Sequence, residues 1–394
     1  MSRPSRPILK DRSAMLYLAL LFTGVLSTSA LIPYMAVYIV ETLGRPPWQI
    51  SLYAVPTLLV IVITNRLFGR WIDAGTNLRP LLGMSIAAFA IATASQLLLP
   101  GFTTLLVIGA AGFGISSASV TTMYSLGRLH AERAGLDLPR YNAWLRATTS
   151  LGWMIAPTAS FSLAAAFGAQ TVFACAFGLC AIWAALWTIA LRDGFTTAKR
   201  PAQIARAKPA NPALWYAVIA CFCISIAHSL TMQALPLFYL REAGLPGFAP
   251  GLSFSVKTLV EIITILAAPA LIRRFGTRNC VMLSAVLSII AFLILARVTT
   301  LPQMIIGAAI EGLYYGLFAG VAITFVQDQA RGQIAGATAL YMNALYLGGL
   351  LSGAVMGPMA NLFGFSSVIQ MSIIGAIAAL AVLWRMGQRR AEGL

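Results

Sequence analysis

Along this chain, apolar runs of about 20 residues alternate with short stretches that carry charge, glycine and proline, and a run of that length is what a helix needs to cross a hydrocarbon core. The runs fall near residues 15 to 40, 49 to 71, 80 to 99, 102 to 126, 141 to 166 and 170 to 191, and then near 213 to 240, 249 to 272, 279 to 297, 301 to 326, 333 to 360 and 365 to 385. A barrel strand would alternate apolar and polar positions, whereas these runs are apolar on every face. Helices, which satisfy their backbone hydrogen bonds within the segment, are therefore the state they predict. The expectation is an all-α membrane protein of twelve transmembrane helices: a six-helix bundle over 1–191, a linker over 192–212 and a second six-helix bundle over 213–394. The linker is the longest hydrophilic stretch and carries Arg192, Lys199, Arg200, Arg206 and Lys208.

Composition narrows the class further. With 59% hydrophobic and 10% charged residues and a mean hydropathy of +0.83, the chain is too apolar for an ordinary water-soluble domain. Met1 to Ala14 is basic and polar, and the apolar run beginning near Met15 is too long for a signal-peptide core, so the first helix is expected to be retained. The net charge of +16 is scattered in ones and twos between apolar runs and does not gather into a nucleic-acid-binding face. Its placement is instead topological. The N-terminus, the loops leaving even-numbered spans and the C-terminus, together with the span ends that adjoin them, hold 22 of the 27 Lys and Arg, against Arg45, Arg241 and Arg297 in the opposite loops. Both termini are thus expected on the cytoplasmic side of a bacterial inner membrane. The five cysteines show no paired spacing and read as small packing residues, and neither a metal nor a cofactor is expected.

One constant offset of 201 residues lays the halves over one another, placing Asn142 on Asn343, Gly152 on Gly353, Pro157 on Pro358 and Gly75 on Gly276. This predicts a parallel six-helix pseudo-repeat, the architecture in which a midplane site opens alternately to each side.

Charged residues inside the spans are the candidates for function, because each costs roughly 2.5 to 3.5 kcal/mol at mid-bilayer unless it faces a cavity or a partner. Lys257 and Glu261 lie four apart on one face of span eight, Glu311 is about ten residues into span ten, and Arg146 is near one end of span five. Their charges sum to zero, which would suit a shared network. Trp153, Gln233, Tyr314, Tyr315, Asn343 and Tyr346 supply rings for stacking and polar groups for hydrogen bonds, and are the candidates for binding a small molecule. His228 reads as a hydrogen-bonded core residue.

The loop after span two, Gly69-Arg70-Trp71-Ile72-Asp73-Ala74-Gly75-Thr76-Asn77-Leu78-Arg79-Pro80, is similar to the major facilitator signature. Arg146, Ser150, Trp153 and Pro157 in span five, with Phe325, Gln327, Asp328 and the 332–338 segment downstream, resemble the bacterial sugar efflux transporters; Glu261, twelve residues before Arg273-Arg274, agrees. The resemblance implies that spans five, eight and ten border a central cavity. It also implies that Asp73, with Arg70 and Arg79, acts as a gate at the start of span eleven, Asp328 with Arg331 serving the second half likewise. The expected activity is sugar export by alternating access, with Glu261 and Glu311 as proton-coupling acids and protons, sugar and lipid as the partners. Two rivals stay open: export of an amphipathic drug or charged metallophore, and a non-transporting membrane sensor. An enzyme ranks below both, as no nucleophile with a base and no phosphate-cradling loop is present.

Overall fold

The computed structural model describes residues 8–192, 194–196, 212–330 and 334–391. Most of the linker, like Arg331, lies outside the described residues. Among these, twelve helices are long and apolar enough to span a membrane: Arg12–Thr42, Trp48–Asp73, Leu78–Leu98, Phe102–Ala134, Arg140–Phe167 and Ala169–Ala190, then Pro212–Glu242, Ala249–Phe275, Thr277–Leu295, Leu301–Asp328, Gly336–Phe363 and Phe365–Gln388. They are spans 1 to 12 below. The chain divides into two compact units, residues 1–45 with 52–202 and residues 46–51 with 203–394.

Each unit opens with the same device. Spans 1 and 7 end in π turns, Tyr38–Thr42 and Phe238–Glu242, in which Leu43 N–H donates to the Tyr38 carbonyl and Ala243 N–H to the Phe238 carbonyl, both at 2.9 Å. The chain then reverses through a left-handed glycine, Gly44 at φ +61° and Gly244 at φ +62°, where a side chain would be strained. The two turns are 200 residues apart.

That spacing does not persist. Gly152 in span 5 gives way to Val25, whose Cγ1 would lie 2.5 Å from an added Cβ; the glycine that does the same in the second unit is Gly348, 2.7 Å from Ser225 Oγ. Since Val25 and Ser225 keep the 200-residue spacing, spans 5 and 11 correspond at 196. The left-handed Gly168 and Gly364, which end them, agree. The 201-residue pairing of Asn142 with Asn343, Gly152 with Gly353 and Pro157 with Pro358 is therefore a coincidence of sequence. Two physical causes account for part of the drift. The connection after span 2 has four residues and that after span 8 only one, Gly276. Span 4 also accommodates one extra residue as a π turn at Leu105–Gly109, which span 10 lacks.

In the second unit, span 10 is drawn onto span 8 by a glycine stripe. An added Cβ on Gly312 would collide with the Lys257 carbonyl oxygen; on Gly316 it would lie 2.6 Å from the Glu261 carbonyl, and on Gly320 2.8 Å from Ala268 Cβ. This small-residue spacing lets two backbones approach without side chains between them, the usual basis of helix association in lipid.

Candidate functional site

That close approach places three ionisable side chains in one place. Lys257 Nζ donates to Glu261 Oε2 at 3.1 Å one helical turn away, and the Lys257 side chain is only 5% exposed. Glu311, the residue before Gly312, is 2% exposed, and its Oε1 has no hydrogen-bond partner among the described residues. An orphaned buried acceptor of this kind costs about 1–3 kcal/mol. Span 7 supplies His228, whose Nδ1 is 2.8 Å from the Tyr314 hydroxyl and 3.9 Å from Glu311 Oε1. The imidazole stacks on Tyr315 with ring centroids 3.7 Å apart, and Lys257 Nζ lies 4.4 Å from the same Tyr315 centroid. Leu235, Tyr239, Ser253, Lys257 and Glu311 line a small hollow beside the cluster, with room for little more than a water molecule, where the Tyr239 and Ser253 hydroxyls are 3.3 Å apart.

The charges in this cluster do not balance. With His228 neutral, one lysine faces two carboxylates, so the group carries one negative charge when both acids are ionised and none when one proton is bound. Because the protein surroundings screen weakly, the bound proton changes the local field substantially. The cluster thus sets a buried carboxylate beside a lysine that lies against an aromatic ring.

The family model of the Major Facilitator Superfamily matches residues 16–279 and 217–393, almost the whole chain. The chain belongs to the Major Facilitator Superfamily. Along its length it is 22% identical to sugar efflux transporter B of Salmonella typhimurium over 380 residues, covering 95% of this chain and 96% of that one. It is 23% identical to sugar efflux transporter C of Escherichia coli K12 over 368 residues, covering 92% and 93%. These are members of the group that the residues of span 5 and of the span 10–11 junction resemble. Among solved structures, the nucleoside transporter NupG aligns with a TM-score of 0.77 at 15% identity, covering 95% of this chain and 99% of its own. A bacterial homologue of the lysosomal transporter Spinster aligns at 0.73 and 13%, covering 98% of each. Both show the fold, and the chain is a multi-pass membrane transporter of this superfamily.

Within this superfamily protein, Lys257, Glu261, Glu311, Tyr314 and Tyr315 come together in the second unit. Gln233 does not join them; its Nε2 donates to Ser352 Oγ at 3.1 Å and ties span 7 to span 11. Tyr346 is half-buried and Asn343 exposed on span 11. Arg146 and Trp153 belong to the first unit, Arg146 exposed and Trp153 half-buried. Of the gate residues, Asp73 and Arg70 are exposed at the end of span 2. Arg79 has partners of its own: Nη1 donates to the Arg192 carbonyl at 2.7 Å, and the guanidinium lies 5.7 Å from the Trp187 ring centroid. Asp328 Oδ2 accepts from Thr277 Oγ1 at 2.8 Å, which joins the end of span 10 to the start of span 9. His228 is a hydrogen-bonded buried residue, as its sequence context suggests, but its nearness to Glu311 depends on how span 7 packs on span 10 and has no signature in the sequence. Gly312, Gly316 and Gly320, by contrast, are a visible four-residue repeat.

Proposed function

We propose that this transporter exports sugars or sugar-like small molecules across the bacterial inner membrane by alternating access, in exchange for protons, with both termini in the cytoplasm. The buried carboxylate of Glu311, with one oxygen unpaired and a cation on the neighbouring helix, carries this reading. Glu311 takes the proton, which brings the cluster to neutrality; the Lys257–Glu261 pair holds the counter-charge in place. Loss of the proton restores the net negative charge and favours the conformation in which water or a cation reaches the site. The rings of Tyr314 and Tyr315 provide stacking surface, and the Tyr239 and Ser253 hydroxyls provide hydrogen bonds for a polyhydroxylated substrate. The names of the full-length relatives support sugar as the class, and the distribution of Lys and Arg supports the orientation.

The test is uptake of labelled lactose and glucose analogues into inside-out vesicles, with and without a proton gradient. Accumulation is expected to require the gradient and to be lost in Glu311→Gln while gradient-independent exchange of sugar survives. Accumulation of the same sugars by Glu311→Gln at the wild-type rate would remove this acid from the mechanism. No sugar accumulation by folded wild-type protein would overturn the substrate class.

A further inference from the structure

A second hollow in the second unit lies away from the charged cluster, where spans 8 and 9 meet at Gly276. It is an open, largely apolar crevice of about 200 Å³ lined by Leu271, Phe275, Asn279, Cys280, Leu283 and Leu317. Cys280 and Leu317 are buried and form its floor, while Phe275 and Leu283 keep 47% and 45% of their surface exposed. The crevice has an identifiable origin. In the first unit, Gly114 faces the Thr57 carbonyl and Val60, and in the second Gly312 faces the Lys257 carbonyl and Val260, so the two helices correspond at 200 residues. Phe68 and Trp71, whose rings lie 5.6 Å apart, then correspond to Ala268 and Leu271. At Leu271, which lines the crevice, an isobutyl group stands where the first unit has an indole, whereas Ala268 packs against Gly320.

The rim of this space is basic. Arg273 and Arg274 are exposed at the end of span 8, and the Arg274 guanidinium lies 5.3 Å from the centroid of Phe275, which lines the crevice; Arg278, at the start of span 9, instead donates from Nε and Nη2 to the Leu383 carbonyl. The nearby acid, Asp328, accepts a hydrogen bond from Thr277. An apolar slot running into a helix end crowned by arginines, at the level where a span leaves the hydrocarbon, is complementary to an amphiphile with a hydrocarbon tail and an acidic head. We propose that this crevice binds an anionic phospholipid of the surrounding bilayer, with one acyl chain against Leu271, Leu283 and Leu317 and the phosphate beside Arg273 and Arg274. Guanidinium groups suit the phosphate because they offer paired N–H donors.

Native mass spectrometry of the full-length protein, exchanged into detergent with equimolar phosphatidylglycerol and phosphatidylcholine, reads this directly. Wild type is expected to retain phosphatidylglycerol at least five-fold over phosphatidylcholine. Arg273→Gln with Arg274→Gln, surface changes that leave the core untouched, is expected to abolish the preference. Leu283→Trp, which fills the slot, is expected to lower retention of both lipids. Equal retention of the two lipids by wild type would overturn the proposal, as would a preference unchanged in the double glutamine variant; in the latter case the head group is held elsewhere.

Discussion

The two six-helix units share their turns, their glycine contacts and their span order, yet they differ at the one place where chemistry is concentrated. With the helices aligned by their packing, His228 corresponds to Thr28, Lys257 to Thr57, Glu261 to Ile61, Glu311 to Phe113, and Tyr314 and Tyr315 to Ser116 and Ser117. Where the second unit has a cation, two acids and an imidazole, the first has a ring, an aliphatic chain and hydroxyls. Between its spans 2 and 4 the hydrogen bonds are neutral: Asn65 Nδ2 donates to Ser117 Oγ at 3.1 Å, and Thr121 Oγ1 to Asn65 Oδ1 at 3.3 Å. The same scaffold thus holds a titratable core in one copy and an electrically quiet one in the other. On the proposed mechanism, coupling and scaffold would be separable, with the coupling carried by one unit.

The sharpest way to break this comparison is at Glu311. Glu311→Gln is expected to reduce gradient-driven sugar accumulation to background, a loss of about 100-fold on the scale of a removed proton-transfer group. Phe113→Leu at the corresponding position is expected to keep most of it. Equal losses in the two variants would mean that the units share the coupling.

A second comparison concerns the ion pair. Lys257→Met leaves two carboxylates in the span without a cation and is expected to lower stability by about 3–5 kcal/mol, read as thermal unfolding in detergent, whereas Glu261→Gln leaves Lys257 facing Glu311 and is expected to cost less. The double variant should recover most of that loss, because Thr57 and Ile61 show that this scaffold packs at these positions without charge. No recovery would mean that each residue acts through some other partner.

The glycines discriminate more finely. Gly312→Ala drives a methyl into the Lys257 carbonyl, which is backbone, whereas Gly114→Ala meets chiefly the Val60 side chain at 2.6 Å. Overpacking of this kind costs about 1–3 kcal/mol, with the larger loss expected at Gly312.

The smallest effect is at the entrance of the first unit. Asp11 caps span 1 by accepting from Ala14 N–H at 2.9 Å and pairs with His130 Nε2 at 3.2 Å. Burial works against its carboxylate, but the Ala14 N–H, the His130 imidazole and the Ser13 N–H together outweigh it and hold its pKa below the ordinary value. A depressed folded pKa gives stability that is fully present above the unfolded value and is lost as pH falls through the folded one. Asp11→Ala is therefore expected to cost about 1 kcal/mol at neutral pH, and the gap between variant and wild type should narrow as pH drops below the carboxylate range. A gap that widens on acidification would reverse the assignment.

Much of this was readable beforehand for a simple reason: bilayer thickness and the cost of buried charge both act on single residues. Apolar length gave the twelve spans, and Lys257, Glu261 and Glu311 stood out because each interrupts an apolar run. What could not be read depends on relations between helices. Asn142 and Asn343 share an offset that the packing of Gly152 and Gly348 contradicts, since helix register follows contacts and connection lengths that a one-line alignment does not weigh. His228 joins Glu311 only through the packing of span 7. Arg79, a gate candidate by its loop, is engaged by Arg192 and Trp187, and Phe195 supplies the strap that fixes this end of the unit: its carbonyl accepts from Leu78 N–H at 2.8 Å and its ring lies 4.2 Å from the Arg133 guanidinium.

The π turn at Leu105–Gly109 has a consequence for how such a protein can change. An extra residue in a plain α-helix would rotate everything beyond it by about 100°, given 3.6 residues per turn, and would turn Gly114 away from Val60. Confined to one wide turn, the same insertion is absorbed locally and the downstream face stays in phase. Span 4 therefore contains a position where length can be edited without rewriting the packing code, and span 10 makes the corresponding contact without such a turn. Duplicated halves can in this way diverge in length first and in chemistry later, each step leaving a transporter that still assembles.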